Sequence, residues 1–284
     1  MNLETLEVEG PDRRYRMSYT TFGQANAERT VICVHGLTRN GRDFDALARM
    51  LAEDAFVVCP DVVGRGRSDW LDDPAAYSVT TYAGHMVQLI RHLGVADVDW
   101  VGTSMGGLIG MGLASMDANP IRKMVLNDVG PFIPKAALER IGAYLGLALT
   151  FENLADLEAH LRVIHAPFGP LSDAEWAHLA AHSAKQQQDG SFVLSYDPKI
   201  AEPFKTGDPI ADLDLWALWD LIACPTLVIR GAESDLLLPA VAEDMTQRGP
   251  KAELCTIEGV GHAPALMDPE QIDVIRGWLT TESV

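Results

Sequence analysis

Ser104, Asp235 and His262 are the residue types that together draw a proton from a hydroxyl, and each stands in a setting that would hold it in place. A serine hydroxyl is a poor nucleophile until an imidazole takes its proton. The imidazole in turn needs a carboxylate to fix its tautomer and stabilise its charge. Ser104 lies in Gly102-Thr103-Ser104-Met105-Gly106-Gly107, between the apolar, strand-like run from Val98 to Val101 and the helix-like run that follows Gly107. On such a strand-to-helix corner the backbone is strained, the hydroxyl stands exposed, and the amide of the next residue, Met105, faces the same space. The neighbours must be small because three stretches of backbone crowd together there, and Gly102, Gly106 and Gly107 meet that need. The pentapeptide G-x-S-x-G alone is a weak signal, so its placement between strand and helix carries the inference.

The elements that must position these groups follow from periodicity. Residues 3–9 and 14–22 alternate around Gly10-Pro11-Asp12 and predict an opening antiparallel hairpin. Buried strands are expected at 30–35, 56–63, 98–103, 123–127, 226–230 and 253–257, about eight in all with the hairpin. Helices are expected at 43–53, 79–93, after Ser104, and near 239–247 and 270–279. This alternation implies an α/β fold with a mostly parallel sheet covered on both faces. Residues 133–218 break the rhythm, with helical patterns near 135–149, 153–164 and 172–188, and read as a helical insertion into a core of 1–132 and 219–284. Gly169-Pro170, Asp189-Gly190, Asp197-Pro198 and Gly207-Asp208-Pro209 punctuate it with turns. In open parallel sheets ligands bind at the carboxyl ends of the strands. Asp235, after the strand at 226–230, and His262, after the last strand, are expected on the same edge as Ser104.

Composition bounds the rest. The 284 residues suffice for one large domain or a domain with an insertion. Forty acidic against 22 basic side chains give a formal charge of -18, which argues against nucleic acid as a partner. The acidic, polar start MNLETLEVEG lacks the features of a secretory signal, and the longest uncharged run, 100–116, is short of a membrane span. Cys33, Cys59, Cys224 and Cys255 show no C-x-x-C spacing and read as buried, reduced core residues, so a cytoplasmic location is expected.

The order Ser, Asp, His, together with His35-Gly36-Leu37, Gly64-Arg65-Gly66-Arg67-Ser68-Asp69 and the Ser104 corner, resembles the α/β-hydrolase superfamily, in its serine esterase-like branch with a helical cap. The resemblance implies Ser104 as nucleophile, His262 as general base and then acid, and Asp235 as the acid that orients it. It further implies an oxyanion hole from the backbone N–H groups of Leu37 and Met105. No metal or organic cofactor is implied. Asp128 is the main rival for the acid, since some members place it one strand earlier, and Glu233 is a weaker one. His35 is expected to brace the oxyanion loop.

Three activities fit. The first is hydrolysis of a carboxylic ester through an acyl-enzyme, with 35–44 and 127–132 resembling intracellular esterases that include some cutting hydroxyalkanoate oligomers. The second is carbon–carbon bond hydrolysis of ring-opened dienone acids, for which Arg39, Asn40 or Arg42 would clamp the substrate's acid end. A solvated loop is the preferred reading of those three residues. The third, of another class, is a slow-turnover ligand receptor on the same fold. His178 and His182 have i,i+4 spacing without the Glu of H-E-x-x-H, and an exposed helix face is preferred to a metal site. Tyr144, Phe151, Phe168, Trp176, Trp216 and Trp219 suit an insertion that roofs an apolar pocket.

Overall fold

The computed structural model describes residues 1–206 and 209–281, so the turn expected at 207–209 lies mostly outside the described residues. The chain opens with β1 (Asn2–Glu9), β2 (Arg14–Phe22) and β3 (Thr30–Val34), followed by α1 (Asp45–Leu51), β4 (Phe56–Pro60) and α2 (Val79–Leu93). Then come β5 (Val98–Thr103), α3 (Met105–Ala114) and β6 (Ile121–Asn127). After a further stretch of mixed elements the rhythm resumes with β11 (Thr226–Gly231), α9 (Pro239–Gln247), β12 (Glu253–Ile257) and α10 (Pro269–Thr280).

Eight strands form one sheet in the order β1-β2-β4-β3-β5-β6-β11-β12. The β1–β2 and β2–β4 pairs are antiparallel, and the remaining five are parallel. The expected α/β architecture and strand number are what the structure has. Central strands such as β3 are buried at every position, as required when helices cover both faces. One apolar cluster contains Ile32, Trp100 and Met124. The cluster containing Val31, Val101 and Val125 packs under α1 and α10.

Between β6 and β11 lie β7 (Phe132–Ile133), α4 (Lys135–Tyr144), α5 (Leu154–Ile164), α6 (Asp173–Ser183), β8 (Ala184–Gln186) and β9 (Phe192–Leu194). A short α7 (Glu202–Thr206), β10 (Leu213–Asp214) and α8 (Trp216–Trp219) follow. Leu157, Leu161, Trp176 and Leu179 from α5 and α6 form an apolar cluster with Met267. The helices expected to reach 149 and 188 stop at Tyr144 and Ser183. Residues 184–186 instead pair with 192–194 as an antiparallel hairpin around Asp189-Gly190. Asp-Gly is a hairpin turn signal, but these flanking strands are too polar on one side to show strand alternation. No helix among the described residues is long and apolar enough to cross a membrane.

Candidate active site

The corner after β5 is as tight as its glycines require. Ser104 has φ 51° and ψ -113° and precedes α3 directly. A Cβ on Gly102 would lie 2.4 Å from the Gly106 carbonyl oxygen, one on Gly106 1.9 Å from the Val34 oxygen, and one on Gly107 2.4 Å from Val129. The strained serine is held by its own amide, which donates to the Asn127 carbonyl at 3.0 Å. Because β3 pairs with β5, with Val34 opposite Gly102, the loop that begins at His35 emerges beside Ser104.

His262 follows β12 and turns both ring nitrogens to use. Its Nε2 lies 3.0 Å from the Ser104 hydroxyl, and its Nδ1 lies 2.7 Å from Oδ2 of Asp128. The carboxylate that meets the ring is therefore not the one in the loop after β11. Asp128 directly follows β6, is fully buried, and adopts φ 55°, a left-handed conformation that aspartate tolerates better than most residues. Its Oδ1 accepts the Gly231 N–H at 2.8 Å, and its Oδ2 also accepts the Ser234 hydroxyl at 2.6 Å. These bonds to the ionised form offset the cost of burying the charge.

Asp235, expected to orient His262, does not reach it. The turn after β11 directs Ser234 inward to Asp128 and the next residue outward. Asp235, with its side chain about half exposed, makes a two-point ion pair with Arg140 of α4 at 2.5 and 2.8 Å. The two carboxylates exchange places because β6 and β11 are neighbouring parallel strands whose loops end on one edge.

Met105 begins α3, and the leading N–H groups of a helix have no intrahelical acceptor. Leu37 lies on the loop after β3. Both residues are tied to Arg65, a fully buried arginine that donates through Nε to the Leu37 carbonyl at 2.8 Å, through Nη1 to the Val63 carbonyl at 3.0 Å, and through Nη2 to the Met105 sulfur at 3.5 Å. Its guanidinium also sits over the Tyr82 ring at 4.7 Å. The sequence carries one local signal of this brace, an arginine flanked by Gly64 and Gly66 directly after the apolar pair Val62-Val63. His35 braces the same loop: Nδ1–H donates to the Gly36 carbonyl at 2.7 Å, and Nε2 accepts the Val62 N–H at 3.0 Å. Burial lowers its pKa to about 3, so the ring is neutral, as that donor–acceptor pattern requires.

The residues expected on a solvated loop are also engaged. Arg39 is 6% exposed and bonds Asp43 through Nε and Nη2 at 2.8 and 2.7 Å. Asn40 donates to the His182 carbonyl at 3.0 Å, and Arg42 pairs with buried Asp45. His178 and His182, expected on an exposed face, are half-buried against this group. His178 Nε2 lies 2.9 Å from the Arg42 carbonyl oxygen. Donor atoms of Asp45, His178 and His182 all fall within 4.8 Å of one another, but the Arg42 and Arg49 guanidinium groups already occupy the carboxylate. Burial, with Arg42 nearby, lowers the His182 pKa to about 4. Of the aromatics, Tyr144 and Phe168 border small cavities next to Arg39, Trp176 is buried within the α5–α6 cluster, and Trp219 is buried in the main core.

A family model described as the alpha/beta hydrolase family matches residues 31–273. The chain is 46% identical over 282 residues to a 3-hydroxybutyrate-oligomer hydrolase of Cupriavidus necator, covering 97% of this chain and 96% of that protein. Among solved structures, a Rickettsia typhi protein superposes with a TM-score of 0.94 at 33% identity over the full length of both chains. An alpha/beta hydrolase from Novosphingobium aromaticivorans superposes with a TM-score of 0.85 at 37% identity, covering 98% of this chain and 97% of that one.

Proposed function

Since the chain belongs to the alpha/beta hydrolase family, we propose that it is a serine hydrolase of carboxylic esters, acting on short esters of 3-hydroxyalkanoic acids by way of Ser104, His262 and Asp128. The observation that carries this reading is the unbroken line from the Ser104 hydroxyl through both nitrogens of His262 to Asp128. The substrate class follows the Cupriavidus relative, whose similarity extends over nearly the whole of both chains.

The chemistry follows from the positions. As the Ser104 oxygen attacks the ester carbonyl carbon, His262 Nε2 takes its proton, and Asp128 stabilises the imidazolium that forms. The negative charge that develops on the carbonyl oxygen is met by the N–H groups of Met105 and Leu37, whose placement Arg65 and His35 hold fixed. The tetrahedral intermediate collapses when His262 returns the proton to the departing alkoxide, which leaves an acyl-enzyme. Water, deprotonated by His262, attacks the acyl carbon, and Ser104 leaves with the proton. Residues 133–218 act in this reading as the cap over the site. The three groups weighed as a clamp for a dienone acid are occupied by Asp43, the His182 carbonyl and Asp45, which favours ester over carbon–carbon cleavage.

The test is the initial rate on a p-nitrophenyl ester series of increasing acyl length and on 3-hydroxybutyrate dimer, with wild type and Ser104→Ala side by side. We expect turnover within the ordinary range of roughly 1 to 1000 per second and its loss by about 10⁴-fold or more in the variant. Undiminished activity in folded Ser104→Ala would refute the mechanism.

A further inference from the structure

Two cavities border Arg39, of about 20 and 30 Å³, each with room for a water or two and too small for an oligomeric ester. A cavity of about 350 Å³ lies farther out, within the size range of ligand pockets, roughly 300 to 1000 Å³. Its walls are residues 147–150 and the stretch from Val193 to Tyr196, with Trp70 and Lys185 also lining it. Leu147, Leu149, Leu194 and Tyr196 border both this cleft and the inner cavity at Thr38 and Arg39, so they form the wall that the two share. Thr38 and Arg39, which line the inner cavity, follow Gly36 and Leu37 on the loop that emerges beside Ser104, and the ideal Cβ position of Gly36 is 3.7 Å from the Ser104 Cβ and 3.9 Å from the Arg39 Cγ.

Charge distinguishes the other side of the cleft. Trp70 and Lys185 also line an adjoining open cavity of about 550 Å³, into which Arg67 faces. The Lys185 ammonium lies 4.6 Å over the Trp70 ring, and neither Lys185 nor Arg67 makes an ion pair among the described residues. In a chain of net charge -18 these are exposed cations, next to a groove that shares a wall with the inner cavity; Asp61 and Asp69 line the same open cavity, where Asp61 accepts the Arg67 backbone N–H at 2.9 Å and Asp69 pairs with Arg16. An anion approaching this protein meets overall repulsion, so local cations must provide the attraction.

We propose that the cleft receives the units of a linear hydroxyalkanoate oligoester beyond the ester at Ser104, and that Lys185 and Arg67 bind its terminal carboxylate. The alkyl branches and ester groups of such a chain match the apolar walls, and its one charged end matches the two cations. This assignment rests on the ester-hydrolase reading above.

The experiment measures kcat and KM for three probes: the free-acid trimer of 3-hydroxybutyrate, its methyl ester, and p-nitrophenyl butyrate. The variants are Lys185→Gln with Arg67→Gln, and Ala148→Trp, which narrows the cleft from its exposed side. The double variant should raise KM for the free acid about three- to tenfold, the scale of two exposed ion pairs, with kcat and both uncharged probes unchanged. Added salt should raise the wild-type KM for the free acid and leave the double variant nearly insensitive. Ala148→Trp should lower kcat/KM for both trimers and spare p-nitrophenyl butyrate. Equal effects on all three probes, or none, would overturn the assignment. If wild type cleaves p-nitrophenyl butyrate but neither trimer, the cleft assignment falls and the esterase reading stands. If it cleaves none of the three, the esterase reading fails first and takes the assignment with it.

Discussion

Asp128 and Asp235 are both carboxylates at the ends of adjacent strands, and only their surroundings separate them. Asp128 is fully buried, with three hydrogen-bond donors converging on it, including His262. Asp235 is a half-exposed partner of an arginine. Asp128→Asn keeps the shape but removes the charge and favours the wrong imidazole tautomer, so kcat should fall by about 10³- to 10⁴-fold. Asp235→Asn gives up one exposed ion pair, worth about 0 to 1 kcal/mol, and should change kcat/KM by no more than a few-fold. Parallel kinetics on the two variants check this assignment, and a larger loss in Asp235→Asn would reverse it. Both positions were legible as candidates, because each is an acid directly after a strand or in the turn beyond one. Which of them faces inward depends on how the 231–237 turn lies against β6, a contact between residues about a hundred apart in sequence.

At the scale of the element, the strand–corner–helix unit β5–α3 determines where Ser104 stands. Its glycines serve close approach rather than flexibility, and the clash of a Gly106 Cβ with the Val34 backbone cannot be relieved by a side-chain rotation. Gly106→Ala should destabilise the protein by about 3 kcal/mol or more, or prevent folding, since backbone must shift to admit the methyl. Gly84, inside α2 with open space around its Cβ position, is the matched control. Gly84→Ala should stabilise by about 0.5 to 1 kcal/mol through helix propensity and a less disordered unfolded chain. Urea midpoints of the two variants measure both effects. The hairpin at 184–194 marks the limit of element reading, because its strands are three residues each and periodicity needs a longer window.

For the molecule as a whole, buried histidines tie stability to pH. Burial lowers the pKa of His35 to about 3 and those of His85 and His182 to about 4, against about 6.5 in the unfolded chain. Between these values the unfolded chain binds protons that the fold refuses. Their contribution is therefore fully present above pH 6.5 and is lost as pH falls toward 4. Asp61 and Asp99, whose pKa values burial raises, act with the opposite sign above pH 3.8, so the histidine share over the interval from pH 6.5 downward is read by comparing wild type with a histidine variant. Thermal midpoints should fall over that interval, and His85→Leu should flatten the slope. An unchanged slope in that variant would mean that His85 does not contribute.

The amino-acid sequence by itself determined the α/β architecture, the corner at Ser104 and the place of His262, because each is written in local form: buried β-branched runs, glycines where backbone must crowd, and a histidine just past the last strand. Only the tertiary structure decided that Asp128 and not Asp235 meets that histidine, that Arg65 joins Leu37 to Met105, and that Arg39, Asn40 and Arg42 are sequestered and not solvated. Such choices are made by packing between segments far apart in the chain, and spacing within one segment carries no information about which neighbour will face it.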